Sequence, residues 1–324
     1  MPIRLFILTA TTLFHALASW LENRQPPPGQ RLDVGGYCLH YSVLGSGGPT
    51  IVLDHSLGGV EGYVLFESLA QRSRVVIYDR AGYGWSDLGP HPRTSDRVVT
   101  ELDALLTGAG IEPPYLLVGD SFGSYNVRLY AHRFPEKVVG LVLTDGLHES
   151  GMLQMPLSLQ LVKWFFVSGF GMALLGSALG LVRLLEICRV FELVKPELRR
   201  FPREALAPVK RSFVRPKHWL SMAQELLDLD ASGRQVSIAD DLGDLPIVSI
   251  KAEAFFRPSI WTLGMKLGPA DRLRDRMHVG LSKLSSRCES MSADASGHFV
   301  WVDRPDVILK AVDRVLEQVQ EQSG

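Results

Sequence analysis

Leu116-Leu117-Val118-Gly119-Asp120-Ser121-Phe122-Gly123-Ser124-Tyr125 reads as an apolar strand running into Gly-x-Ser-x-Gly, and a helix-like segment with Val127, Leu129, Tyr130 and Ala131 follows. Strand, tight turn and helix in that order hold a serine in a strained backbone conformation, with its hydroxyl exposed above the sheet edge. The two glycines are small because strand and helix crowd each other there. The N–H of Phe122, at the start of the helix, points where an oxyanion would form. Gly-x-Ser-x-Gly alone is a weak signal, since small residues recur by chance. Its setting between a strand and a helix gives it weight.

Working outward, apolar runs at 50–54, 74–78, 138–143 and 245–250 read as strands, with 287–292 as a more polar last one. The nearly continuous apolar character of 50–54 suits a central parallel strand. Residues 31–43 alternate as a hairpin about Gly35-Gly36. Helices are expected at 61–71, 94–108, from the serine turn to about 134, at 219–229, in part of 262–285 and from 303 towards 319. Strands and helices alternating at this spacing specify an α/β fold with a doubly wound, mostly parallel sheet.

The rhythm breaks between 146 and about 240, where no strand is evident. Residues 164–182 carry no charge. Gly169, Gly171, Gly176 and Gly180 argue for two short apolar helices in a lid, and a second membrane helix is the competing reading. Residues 195–215 are basic, contain three prolines and read as a solvated connection. The chain thus divides into an apolar targeting or anchor segment with a Pro-rich linker (1–29), a first core part (30–145), a helical lid (146–240) and a second core part (241–324).

The 324 residues are 46% apolar and 21% charged, enough for a sizeable core, and the net charge of -1 leaves no basic field for nucleic acid. Cys38, Cys188 and Cys288 are far apart and lack metal-site spacing. One disulfide stays open for an exported protein. Within residues 1–21 only Arg4 is charged. A signal peptide cleaved after Ala16-Leu17-Ala18 competes with an uncleaved anchor that has Trp20 at the interface. A third reading, an amphipathic helix lying on a cytoplasmic domain, stays open. The linker Gln25-Pro26-Pro27-Pro28-Gly29 favours the anchor.

A serine hydroxyl needs a base within hydrogen-bond reach, and the base needs an orienting group. Of the nine histidines, His298 follows the last strand in Ala295-Ser296-Gly297-His298-Phe299. A loop there reaches back over the carboxyl edge of the sheet, where ligands bind in such folds. His55 and His148 each directly follow a strand, and His40 reads as structural. His91, His132, His218 and His278 lie in charged or helical contexts.

In its Gly119–Gly123 turn, its Asp79–Asp87 loop and Ser296-Gly297-His298-Phe299, the chain resembles the α/β-hydrolase fold superfamily, in particular its lid-containing esterases and proline-iminopeptidase-like serine hydrolases. The resemblance covers about residues 30–320. It implies Ser121 as nucleophile, His298 as general base, and the N–H groups of Phe122 and Leu57 as oxyanion hole. Ser56 stands where the family usually has glycine. The acid has two candidates: Asp145, after the strand that follows the serine, and Glu253, after the next. Asp145 is preferred, and both keep the order nucleophile, acid, histidine. Asp120 replaces the usual histidine before the serine and is expected to bond to a neighbouring loop. Asp79 and Arg80 are expected to pair and brace theirs. Tyr83, Trp85, Trp164, Phe165 and Phe166 are candidates for an acyl pocket. The expected activity is cleavage of a small or medium apolar, lipid-like ester, with no metal or organic cofactor. An aminopeptidase or amidase of this fold, and a membrane-tethered binding protein without turnover, are the rival readings. Oligomeric state is left open.

Overall fold

The computed structural model describes residues 2–194, 196–254 and 268–323. Eight strands form one sheet: β1 (Gln30–Asp33), β2 (Cys38–Leu44), β3 (Thr50–Asp54), β4 (Val75–Asp79), β5 (Tyr115–Asp120), β6 (Val138–Thr144), β7 (Ile247–Ala252) and β8 (Cys288–Ala293), in the order β1-β2-β4-β3-β5-β6-β7-β8. The β1–β2 and β2–β4 pairs are antiparallel and the rest parallel. β3, β4 and β5 are buried along their whole length. That is the environment their unbroken apolar sequences demand in a sheet covered on both faces. Side chains alternate between two cores: Leu117 enters one, Leu116 and Val118 the other. The β1–β2 hairpin turns through Gly35 and Gly36, both at positive φ.

Between β6 and β7 the described chain is helical, from Glu149–Met152 to Leu229–Val236. Here several expectations need correcting. Residues 164–182 do not split into two short helices. One 22-residue helix, Leu157–Ala178, runs through, and the chain breaks only at Gly180 (φ 76°) before Leu181–Ile187. Gly169 and Gly171 have open space where a side chain would sit, so they lie on an uncrowded face and interrupt nothing. The basic 195–215 stretch is not a plain connection. It contains the helix Arg203–Phe213, with Pro208 inside it. Residues 219–229 divide into Pro216–Leu227 and Leu229–Val236, and 61–71 into a 3-10 turn (Glu61–Val64) and a short helix (Phe66–Ala70). The helix expected in 262–285 is Gly268–Leu281, and 262–267 lie outside the described residues. The three cysteines are free thiols.

Residues Pro2–Asn23 form one helix. Its span Leu5–Asn23 and the helix Leu157–Ala178 are each long and apolar enough to cross a membrane, and each leaves most of its length unburied.

Candidate active site

The serine turn is built by crowding. A Cβ on Gly119 would lie 2.7 Å from the Gly123 carbonyl oxygen and from Val127, and one on Gly123 would lie 2.4 Å from the Asp54 carbonyl oxygen. Only glycine allows β5, the following helix Gly123–Arg133 and the end of β3 to meet so closely. Ser121 is driven to φ 50°, rare for a side-chain-bearing residue. The turn is held from the end of β6: the Ser121 N–H donates to Thr144 O (2.9 Å), and Ser124 Oγ donates to Ser121 O (2.6 Å).

Ser121 Oγ lies 2.9 Å from His298 Nε2, and His298 Nδ1 lies 2.6 Å from Asp145 Oδ2. Asp145 follows β6 at φ 39° and is 2% exposed. Its other oxygen, Oδ1, accepts from the Ala252 N–H and from His278 Nε2, both at 3.2 Å. Burial works against the charge of this carboxylate, but the hydrogen bonds from His278 and His298 outweigh it and hold Asp145 well below the usual carboxylate range. A charged Asp145 makes His298 Nδ1 the donor, which leaves Nε2 bare to accept the serine proton. Glu253, the other acid considered, is spent elsewhere: its carboxylate accepts the Ala295 N–H (2.6 Å) and its carbonyl accepts from Arg274 (2.9 Å).

His278 is a residue the sequence did not single out. It sits on Gly268–Leu281, and its Nδ1 lies 3.5 Å from Ser249 Oγ. Nothing local in the sequence marks a helical histidine as the partner of a carboxylate 133 positions earlier.

The loop after β3 is fixed by charge. Arg80 donates to the carbonyls of His55 and Ser56, both at 2.7 Å, and the Ser56 N–H donates to Glu61 Oε1 (2.9 Å). The required positive φ falls on Gly58, not on Ser56. Among the described residues, the N–H groups of Leu57 and Phe122 donate to no backbone carbonyl and so stay available for an oxyanion. Arg80 also pairs with Asp54 (2.6 Å) and with Glu225 (2.9 Å) of the lid helix Pro216–Leu227. The same lid helix presses Met222 against Gly58 and Ser221 against Gly82.

Asp79 and Arg80 brace their loops but not by pairing with each other. Asp79 takes His40 (2.8 Å), Tyr63 and the Trp85 N–H. Asp120, beside the nucleophile, is buried, and no N–H or O–H donor reaches its oxygens. Burial first, then the charges of Glu61 and Asp145 and a hydrogen bond with Glu61, push its pKa far above the ordinary value. The shift favours the protonated carboxyl, the form that can donate to Glu61, whose own pKa is lowered: burial opposes that charge, but His55 and the bonds at Ser56 more than compensate.

The acyl-pocket candidates need correcting. Tyr83 is fully buried and donates to Glu225 (2.7 Å), while Trp85 packs between His40 and Arg211. Trp164 and Phe165 are 57% and 69% exposed on the lid, Trp164 at the rim of the smaller cavity described next, and Phe166 is exposed too. Two cavities on the lid, about 520 and 240 Å³, are lined by neither Ser121 nor His298. Ser121 itself is only 6% exposed.

A model of the alpha/beta hydrolase fold family matches residues 49–168. Among curated proteins, the chain is 25% identical over 305 residues to the probable transporter efuK of Hormonema carpetanum, covering 89% of this chain and 43% of that protein. It is 36% identical over 115 residues to a 2-hydroxy-6-oxononadienedioate/2-hydroxy-6-oxononatrienedioate hydrolase of Pseudomonas putida, covering 33% of this chain and 40% of that one. The chain spans about two fifths of the length of the curated relatives it matches. Among solved structures, the epoxide hydrolase CorEH superposes with a TM-score of 0.65 at 18% identity, over 90% of this chain and 98% of that one. With the sheet order, the serine turn and these likenesses together, the chain has the α/β-hydrolase fold.

Proposed function

We propose that this α/β-hydrolase is a serine hydrolase that cleaves an apolar carboxylic ester through an acyl-enzyme on Ser121. The observation that carries the proposal is the unbroken relay Ser121–His298–Asp145, with contacts of 2.9 and 2.6 Å. Ser121 Oγ attacks the ester carbonyl carbon while its proton passes to His298 Nε2. The oxyanion rests on the N–H groups of Phe122 and Leu57. The intermediate collapses by breaking the bond to the alkoxy oxygen, which leaves as the alcohol with the proton from His298. Water then attacks the acyl-enzyme, its proton going to His298, and the acid is released with Ser121 restored.

The likeness to CorEH, at 18% identity, bears on fold alone. An aminopeptidase would need a carboxylate free to hold an amine, and the carboxyls beside the serine, Asp120 and Asp145, are buried and engaged with Glu61 and with two histidines. The apolar surface of the lid favours an apolar acyl chain. Nitrophenyl esters of increasing chain length test the proposal. Turnover that rises with chain length and vanishes in Ser121→Ala supports it. A folded wild type that turns over no ester refutes it and leaves a binding protein of this fold.

A further inference from the structure

We infer that the N-terminal helix and the lid form one continuous face that docks on an anionic lipid bilayer, its apolar helices embedded and an arginine-lined groove on the headgroups. The two apolar helices belong to one assembly. Thr11 Oγ1 of Pro2–Asn23 donates to Leu179 O (2.7 Å), at the end of Leu157–Ala178, and Gly180 packs on the Thr11 carbonyl, where a Cβ would lie 2.2 Å away. About three turns further along the N-terminal helix, Glu22 pairs with Arg183, with Arg215 (2.5 Å) and with Arg211 (3.4 Å). This cluster pins the N-terminal helix along Leu181–Ile187. Around that joint the surface is apolar: Phe6 and Leu13 on one helix, Leu161, Met172 and Leu175 on the other, and Ile187 beyond them are all exposed. Water would not tolerate so large an apolar patch on a free surface.

Charge identifies the occupant. The chain leaves the apolar joint at Arg189 and enters a groove of about 520 Å³ lined by Arg189, Arg199, Arg203 and Lys210. Lys210 is taken up by Glu186 and Glu192. Arg189, Arg199 and Arg203 are exposed, and no ion pair joins them to an acid among the described residues. Glu192 also lines the groove, its pKa lowered by the hydrogen bond from Lys210 and then by the charges of Lys210, Arg189 and Arg199, and the four cations outnumber it. Apolar helices flanked by this excess of positive charge match acyl chains beneath phosphate headgroups. Trp20, with Arg24 stacked 3.6 Å over its ring, sits where an interfacial aromatic belongs. A second copy of this chain would cover the apolar face but would leave the arginines facing their own kind.

Docked in this way, the lid that shuts Ser121 rests on the lipid. This part of the inference deepens the ester-hydrolase proposal: the substrate is an ester with a long acyl chain drawn from the bilayer. The docking itself is tested apart from turnover, on full-length Ser121→Ala. Its co-sedimentation is measured with vesicles of phosphatidylcholine, with and without phosphatidylglycerol. Strong binding to the anionic vesicles, weakened by salt, is expected. Arg189→Glu, Arg199→Glu and Arg203→Glu together should weaken it by at least on the order of a hundredfold, at about fivefold per cation removed from the surface. Leu161→Asp with Met172→Asp should abolish binding to both vesicle types, and circular dichroism would verify that these surface variants fold. Equal binding to neutral and anionic vesicles, or a discrete dimer that ignores vesicles, overturns the inference. Vesicle binding without turnover in the wild type would sink the hydrolase proposal and leave the docking surface standing.

Discussion

Replacing Asp145 by Asn tests the relay at its most constrained atom. The substitution suits the backbone, because asparagine tolerates the φ of 39° about as well as aspartate. The amide orientation is then dictated by the site. Position Oδ1 is approached by two donors, the Ala252 N–H and His278 Nε2, each at 3.2 Å. An NH2 group there would meet two N–H groups, so the amide oxygen takes that place and the NH2 turns to His298. His298 Nδ1 must now accept, which moves the ring proton to Nε2, where it points at Ser121 Oγ instead of receiving from it. The wrong tautomer should lower kcat by about 10⁴-fold, or about 5.4 kcal/mol of transition-state stabilisation. KM should change little, since the acyl site is untouched. Steady-state kinetics on a nitrophenyl ester, beside Glu253→Gln as a control expected to keep wild-type kcat, measure this directly. If Asp145→Asn keeps more than a tenth of the wild-type kcat, or if Glu253→Gln shows the large loss, the acid is misassigned and the tautomer reasoning fails.

Other consequences concern the groups around the relay. His278→Ala should lower kcat roughly ten- to a hundredfold through a misplaced Asp145 with KM held, and His278→Gln, which can still donate, should recover much of the loss. Equal kcat in all three proteins would remove His278 from the site. Burial and the charges of Glu61 and Asp145 raise the pKa of Asp120 on folding above its unfolded value. Its contribution is therefore fully present below about pH 4 and is lost as pH rises towards the folded value. Urea unfolding should show stability falling with pH by about 1.4 kcal/mol per unit from this group. Asp120→Asn, neutral and still able to donate to Glu61, should remove that slope, and an unchanged slope would contradict the buried proton. Arg80→Met strands Asp54 and Glu225 and should cost about 3–5 kcal/mol, lower the Tm, and loosen the loop that presents the Leu57 N–H. A variant as stable and active as wild type would show that the Arg80 network holds neither lid nor loop.

Much of the fold could be read because β3, β5 and β6 are buried over nearly their whole length, and burial writes itself as continuous apolar runs. The serine turn was legible because crowding admits only glycine at 119 and 123. His298 was legible by its place after the last strand. The acid was harder, since Asp145 and Glu253 both end strands, and only the three-dimensional reach of His298 separates them. His278 and the Arg80–Glu225 contact between core and lid were invisible, because both join residues more than 130 positions apart. The lid was misread where glycine was counted as a helix breaker. Gly169 and Gly171 face open space and cost the helix only their propensity, while Gly180 breaks it through a positive φ. The lid aromatics were placed by apolarity alone: Trp164 lines the smaller lid cavity, which Ser121 does not, and Phe165 is exposed on a surface that the bilayer proposal assigns to lipid.

The central claim is that Ser121 becomes covalently acylated, and trapping that adduct tests it most directly. Wild-type protein would be mixed with a medium-chain nitrophenyl ester, quenched in acid within the first turnovers, and analysed by intact mass and peptide mapping. The account predicts a mass increase of one acyl group, carried by Ser121 alone and missing from Ser121→Ala. A protein that releases nitrophenol with no adduct on Ser121, or with the acyl group on another residue, would contradict it.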